Sequence, residues 1–376
     1  MSARGKLIVV LSLFLAAAAW GQAASQAHDF HTGNTRWDNN TDIPNLTVGA
    51  PAALPANLEK DANYGDTASQ VELALHYVYG SGVPRDDAAA AKWFLRAAAG
   101  GSPAGQYMLG YMYRTGRGVP QDLQQAVRWF QSAADKGEPY SQAALASLYI
   151  EGRGVPVDYG MAMKLARKAA KRHVATGEFN LGSIYKFGLG VNANPQEGLN
   201  WYKKAAEHGS GDAMVQIGTS YYTGNGVKQD TQEAIRWLLR AADKGLPEAQ
   251  FNLGLIYETG FPGHPDYASA LKWYNLAADQ DYGFAQLNLG HLYETGHGVS
   301  QDLVKGFQLY KAAADQGIAI AQENVGNCYQ WGVGVQSDPA AALIWYKRAA
   351  AQGDTVAQAR LAEMRSTAMK QTAASE

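Results

Sequence analysis

Residues 103–138 read PAGQYMLGYMYRTGRGVPQDLQQAVRWFQSAADKGE. Gln106, Leu109, Gly110 and Tyr113 recur at helical spacing, which places them on one face of a first helix. Gly116 and Gly118 then break that helix, because a residue without Cβ enters a left-handed turn at little cost. Asp122 follows as a side chain suited to cap the free N–H groups of a second helix. In that second helix Trp129, Ala133 and Ala134 share a face. The stretch therefore predicts a helix, a glycine turn and another helix.

Working outward, Gly-x-Gly-Val begins at Gly80, Gly116, Gly152, Gly188, Gly224, Gly296 and Gly332, always 36 residues or a multiple of 36 apart. Where one copy is missing, Gly260-Phe261-Pro262-Gly263 keeps the length and changes the turn. Ala-Ala pairs end in step at Ala98, Ala134, Ala170, Ala206, Ala242, Ala278, Ala314 and Ala350. A tryptophan precedes most pairs, at Trp93, Trp129, Trp201, Trp237, Trp273 and Trp345, with Leu165 and Leu309 in the other two copies. These rings are expected to fill the space between helical layers. A cap residue recurs as Asp86, Asp122, Asp158, Asn194, Asp230, Asp266, Asp302 and Asp338. One helix pair cannot bury its apolar face alone, whereas stacked copies share a continuous core. The expectation is an all-α protein, an α/α solenoid with nine first-type (A) and eight second-type (B) helices. Gln358, Leu361 and Ala362 repeat the A pattern once more, and Arg365 takes the place of its tyrosine, as a solubilising terminal cap requires.

The ends read differently. Arg4 and Lys6 precede an uncharged apolar run from Leu7 to Trp20, followed by small residues, the order of an export signal. At about 14 residues the run is short of the roughly 20 that span hydrocarbon. Residues 1–23 are therefore expected to be a cleaved signal peptide, and the mature chain to be periplasmic or secreted with no membrane span. The only cysteine is Cys328, so no cysteine follows the apolar run to carry a lipid and no thiolate zinc site can form. Residues 24–65 lack helical or alternating period and read as a flexible linker, 66–365 as the repeat array, and 366–376 as a disordered tail. Asn39 and Asn45 head glycosylation acceptor triplets, relevant only in a eukaryotic cell.

The order small-Gln-x-x-Leu-Gly-x-x-Tyr, Gly-x-Gly-Val, Asp, Ala-x-x-Trp, Ala-Ala, Gly resembles the Sel-one-like (SEL) repeat, a relative of the tetratricopeptide repeat, over roughly Asp66 to Met364. Departures are the Gly260 turn, Leu165, and His173 and Asp281 where the glycine between repeats is expected. The resemblance implies a right-handed solenoid and a non-enzymatic exported scaffold or adaptor, as among envelope regulators, secretion accessories and host-interaction factors. It implies that a protein or extended peptide binds the concave face lined by A helices. The alternative is a cell-wall-associated protein that binds or hydrolyses peptidoglycan-type substrates.

The chemistry-bearing residues agree with a scaffold. With 32 basic against 34 acidic residues, the chain has no field to attract nucleic acid. No His-Glu-x-x-His, Gly-x-Ser-x-Gly, phosphate-loop or dinucleotide pattern occurs, so no catalytic residue and no cofactor is expected. His28 with His31 lacks a third ligand, and His291 with His297 is poorly spaced, so no metal is expected. Cys328 falls in an apolar column and reads as core. Asn180, Gln216, Asn252, Asn288 and Asn324 form an amide column on the A helices, with His291 and Asn327 three residues beyond two of them. Such amides could bond a peptide main chain, or could bond adjacent helices instead. Phe187 and Trp331, in a column of threonines, are candidate aromatic anchors or packing residues. Lys164, Arg167, Lys168, Lys171 and Arg172 crowd one B helix, either as a solvated face or as a surface for an anionic partner.

Overall fold

The computed structural model describes residues 54–260 and 263–375. The predicted signal peptide, most of the linker, Asn39, Asn45, His28 and His31 lie outside the described residues. The described residues form eighteen helices and no strand. In the first of two compact units, α1 is Leu58–Asn63, α2 Thr67–Tyr79, α3 Asp87–Ala99, α4 Pro103–Thr115 and α5 Leu123–Asp135. It continues with α6 Pro139–Glu151, α7 Tyr159–Ala170, α8 Ala175–Phe187, α9 Pro195–Glu207 and α10 Gly211–Thr223. The second unit holds α11 Thr231–Ala242, α12 Pro247–Thr259, α13 Tyr267–Ala278 and α14 Gly283–Thr295. It ends with α15 Leu303–Asp315, α16 Ala319–Trp331, α17 Pro339–Ala351 and α18 Thr355–Ser375. Within each unit consecutive helices pack on one another, so each is a stack of helix pairs of the α/α solenoid class.

Each link in the stack has a local cause. Asp122 Oδ1 accepts from the backbone N–H groups of Gln124 and Gln125 at 2.9 and 3.0 Å, and Asp338 does the same for Ala340 and Ala341. Gly116 (φ 72°) and Gly118 (φ 66°) carry the turn in the left-handed region. The turn is closed by the backbone bond from Asp122 N–H to Tyr113 O, 2.9 Å. The altered turn keeps this closure, with Asp266 N–H to Tyr257 O also at 2.9 Å. Successive repeats are joined by the buried glutamine of the A helix. Gln106 Nε2 donates to Ala98 O at 3.2 Å and Gln142 Nε2 to Ala134 O at 3.3 Å, a second bond to carbonyls at the B-helix end that also accept from the backbone N–H groups of Gly101 and Gly137 at 3.0 Å.

Three expectations change. First, the tryptophan column is not the core: Trp93, Trp129, Trp201, Trp237 and Trp273 are half-buried, and only Trp345 is buried. The next position holds the buried side chains, Phe94, Phe130, Ala166, Tyr202, Leu238, Tyr274, Tyr310 and Tyr346. Its rings fit against a small residue of the A helix. A Cβ built on Gly110 would lie 2.8 Å from the Phe130 ring, and one on Gly182 or Gly254 2.5 Å from the rings of Tyr202 or Tyr274. Where the B residue shrinks to Ala166, the A column carries Ala146 instead. Trp93 and Trp237 lie further out beneath cations one turn on, Arg96 at 4.6 Å and Arg240 at 4.2 Å.

Second, residues 58–63, inside the stretch read as linker, form α1. Leu58 and Ala62 are buried, and Gln70 Nε2 donates to Ala62 O at 2.9 Å as the later glutamines do to the preceding B helix. This short helix supplies the end of a B helix to the first repeat, without the tryptophan and paired alanines that make the others recognisable. Third, residues 366–375 continue α18 rather than forming an irregular tail. No glycine or proline stands in Thr355–Ser375 to stop it, and alanine, methionine, lysine and glutamine favour helix.

Candidate functional site

The amide column is largely engaged within the scaffold. Asn180 is buried, and its Nδ2 donates to Ala143 O at 3.1 Å and Ser147 Oγ at 3.0 Å on α6. Gln216 Oε1 accepts from Lys186 Nζ at 2.8 Å. Asn288 Nδ2 donates to Tyr274 Oη at 3.0 Å, and that hydroxyl donates to Glu258 Oε2 at 2.5 Å. Asn252 is buried, while Asn324 is half-buried. His291 is half-buried, and burial holds its imidazole below the usual range.

Three of the sequence-derived residues meet at one place. Asn324, Asn327 and Trp331, on one face of α16, line a cavity of about 150 Å³ with Glu294, Tyr310, Cys328 and Val333. Trp331 is 52% exposed, which sets it apart from the packed rings, and Arg360 lies 4.9 Å over its ring. Phe187, the other anchor candidate, is 49% exposed in the first unit with Lys186 Nζ 5.3 Å from its ring. The cavity walls are fixed by bonds. Tyr310 Oη donates to Glu294 Oε2 at 2.6 Å, and Tyr346 Oη to Asn327 Oδ1 at 2.8 Å. Asn327 Nδ2 in turn donates to Glu323 Oε1 at 2.5 Å.

Glu323 was not foreseen, although its column reads Val71, Tyr107, Ala143, Phe179, Val215, Phe251 and Leu287 in the other repeats. A carboxylate in an apolar column was the available signal. Burial pushes its carboxyl up to about 7, with Asn327 opposing the rise. Cys328, buried beside Glu294 and Glu323, is pushed up to about 12, so the thiol stays protonated and unreactive at neutral pH. The basic residues of α7 and its end, Lys164, Arg167, Lys168, Lys171 and Arg172, are all exposed. At the Trp331 cavity the one thiol, Cys328, is disfavoured as a thiolate by burial and by the neighbouring Glu294 and Glu323. The cavity's inventory is an exposed aromatic face, amides and fixed hydroxyls, which suits recognition of a polypeptide.

No helix among the described residues is long and apolar enough to cross a membrane. No curated protein gives a significant match to this chain. Among solved structures, a Sel1 repeat protein from Oxalobacter formigenes is 28% identical, covering 89% of this chain and 95% of that one with a TM-score of 0.58. A protein described as a protective antigen present in uropathogenic Escherichia coli strains is 34% identical, covering 82% of this chain and 73% of that one with a TM-score of 0.49. The Sel1 repeat model matches eight times, over residues 67–102, 103–138, 139–173, 175–210, 211–246, 247–282, 283–318 and 319–354. Those segments coincide with the helix pairs and with the 36-residue phase of the glycines, and the chain belongs to the Sel1 repeat family.

Proposed function

We propose that this protein is a non-enzymatic scaffold that holds an extended segment of a protein partner on its A helices, centred on Trp331. Repeats of this class commonly mediate protein–protein interaction. The observation that carries the reading is the conjunction at α16 of a half-exposed indole with Asn324 and Asn327 at the mouth of a bonded cavity. Tryptophan is enriched among binding hot spots, and amides beside the ring can bond a polypeptide main chain. A photo-crosslinking residue at position 331 is expected to capture a discrete protein in the native host, while one at the exposed Lys168 is not. Equal labelling from both positions would remove the site. Against the captured partner, Trp331→Ala is expected to weaken binding by about 2 kcal/mol, the usual hot-spot magnitude, with melting unchanged.

The reading also places the protein in the bacterial envelope or outside the cell, on the strength of Arg4, Lys6 and the Leu7–Trp20 run. Mature protein from the native host is then expected to begin between Trp20 and His28. A soluble product that retains Met1 would place it inside the cell instead.

A further inference from the structure

In three repeats of the second unit, the buried glutamine of the A helix is met by a glutamine thirty residues later. Gln280 Nε2 donates to Gln250 Oε1 at 2.8 Å, Gln316 to Gln286 at 2.9 Å and Gln352 to Gln322 at 2.9 Å. The fourth repeat replaces both members. Glu178 and His208 occupy these positions, with His208 Nδ1 2.6 Å from Glu178 Oε2. A third change falls at the connection just before, where His173 stands in the column of Gly101, Gly137, Gly209, Gly245, Gly317 and Gly353.

His173 keeps the left-handed backbone of those glycines, at φ 58°, a conformation sterically costly for a side chain with Cβ. Its ring centroid lies 5.0 Å from that of His208. Asp281 shows the same backbone, at φ 60°, but its corresponding neighbours are the Gln286–Gln316 pair, so no second cluster forms there. Ligand atoms of His173, Glu178 and His208 all lie within 4.8 Å of one another. They face an open cavity of about 570 Å³ in the first unit, walled also by Arg167, Trp201 and Lys204. Two of the cations on this wall are engaged elsewhere. Arg167 Nη2 donates to Tyr185 Oη at 3.0 Å, and Lys204 Nζ sits 3.9 Å over the Trp201 ring.

We propose that His173, Glu178 and His208 bind a divalent transition-metal ion, with zinc as the best match. Two imidazole nitrogens and one carboxylate oxygen are a donor set that zinc accepts in sites with three protein ligands, leaving a fourth position for water or an incoming group. Here that position opens into the cavity. Glu178 is 2% exposed, and a buried carboxylate is tolerated where it is paired or coordinates a metal. The ion ties the end of α7 and the start of α8 to the end of α9, and so staples the third repeat to the fourth.

The test uses the full chain and zinc ion alone, followed by calorimetric titration. The wild type is expected to bind one zinc more than His173→Gly, and one more than the double variant Glu178→Gln with His208→Gln. Both variants restore residues that other repeats carry, so both are expected to fold, which circular dichroism checks. Should the double variant be poorly folded, His208→Ala takes its place. Cobalt is expected to give the visible absorption of a low-coordinate site in the wild type and to lose it in His173→Gly. Zinc should raise the melting temperature of the wild type by several degrees and leave that of His173→Gly unchanged. Equal zinc stoichiometry in wild type and folded variants would overturn the site and leave Glu178–His208 as a hydrogen-bonded pair. Comparing variants within the full chain cancels any contribution from His28 and His31.

Discussion

Phe130→Ala should cost about 4 kcal/mol of stability, while Trp237→Ala should cost only about 1 to 2 kcal/mol, in urea unfolding of the two variants. Phe130 is fully buried against Gly110, so its removal leaves a void that neighbouring helices cannot fill. Trp237 is half-buried, its Nε1 donates to Glu233 Oε1 at 2.9 Å, and its ring lies beneath Arg240. Truncating it removes mainly contacts at a wet surface. Gly110→Ala alone should cost about 1 to 3 kcal/mol by overpacking, since the new methyl would lie 2.8 Å from the Phe130 ring. Combined with Phe130→Ala it recreates the Ala146 and Ala166 arrangement of the next repeat. The double variant should then cost less than the sum of its parts by at least about 1 kcal/mol. Strict additivity would show that the two positions do not share one space.

That contrast marks where the sequence was legible. Repeat length, helix pairing, caps and turns depend on local chemistry, and Asp122, Gly116 and the 36-residue phase disclose them directly. Which ring of the adjacent pair Trp129-Phe130 turns inward depends on the neighbouring helix, and the bulk of tryptophan favoured the wrong one. The α1 helix was not legible because Leu58–Asn63 carries neither the tryptophan nor the paired alanines that mark the B helices. At the candidate site, Trp331 was visible as an aromatic among threonines. The engagement of Asn180 with α6 was not, because its partners are defined only once repeats are stacked. The Glu178–His208 pair belongs to the same class: spacing alone does not disclose that residues thirty apart close on one another, although the Gln-to-Glu change in its column could have been seen.

Between pH 5 and pH 8 the protein should lose roughly 2.5 kcal/mol of stability through Glu323 alone. Its carboxyl is pushed up to about 7, first by burial, with Asp354 and Glu294 adding to the rise while Asn327 and Arg360 oppose it. Unfolded, the same glutamate titrates near 4.5. Below that pH both states hold the proton and the folded state has its full advantage. As pH rises through 4.5 the unfolded chain ionises first, so stability falls steadily until the folded carboxyl has also ionised above about 7. Glu138 and Glu258, also raised by burial, act in the same direction, so the measurement is a difference. Chemical unfolding of wild type and Glu323→Gln at both pH values should show a shallower slope in the variant and its greater stability at pH 8. A variant slope as steep as that of the wild type would assign the dependence to other groups. The same titration bears on the proposed binding site, since Glu323 accepts from Asn327 and Asn327 lines the Trp331 cavity.

The pairing of each inward B-helix residue with a small A-helix residue also sets how such an array can lengthen or shorten by unequal recombination. Excising residues 103–138 removes Gly110 and Phe130 together, and brings Gln142 to the carbonyl of Ala98 that Gln106 bonded before. Excising residues 117–152 removes the same number of residues and rejoins equivalent glycines, yet it sets Gly110 opposite Ala166 with no ring between them. Both products preserve the 36-residue phase, but only the first preserves the fit. Crossovers in the connections between repeats should therefore yield folded descendants everywhere, while a crossover in the glycine turn on either side of Ala146 mismatches the pair, leaving a hole at Gly110 with Ala166 or crowding Ala146 against the Tyr202 ring. At that repeat the unit of inheritance is the matched helix pair, with its boundary between repeats rather than at the most uniform stretch of the sequence.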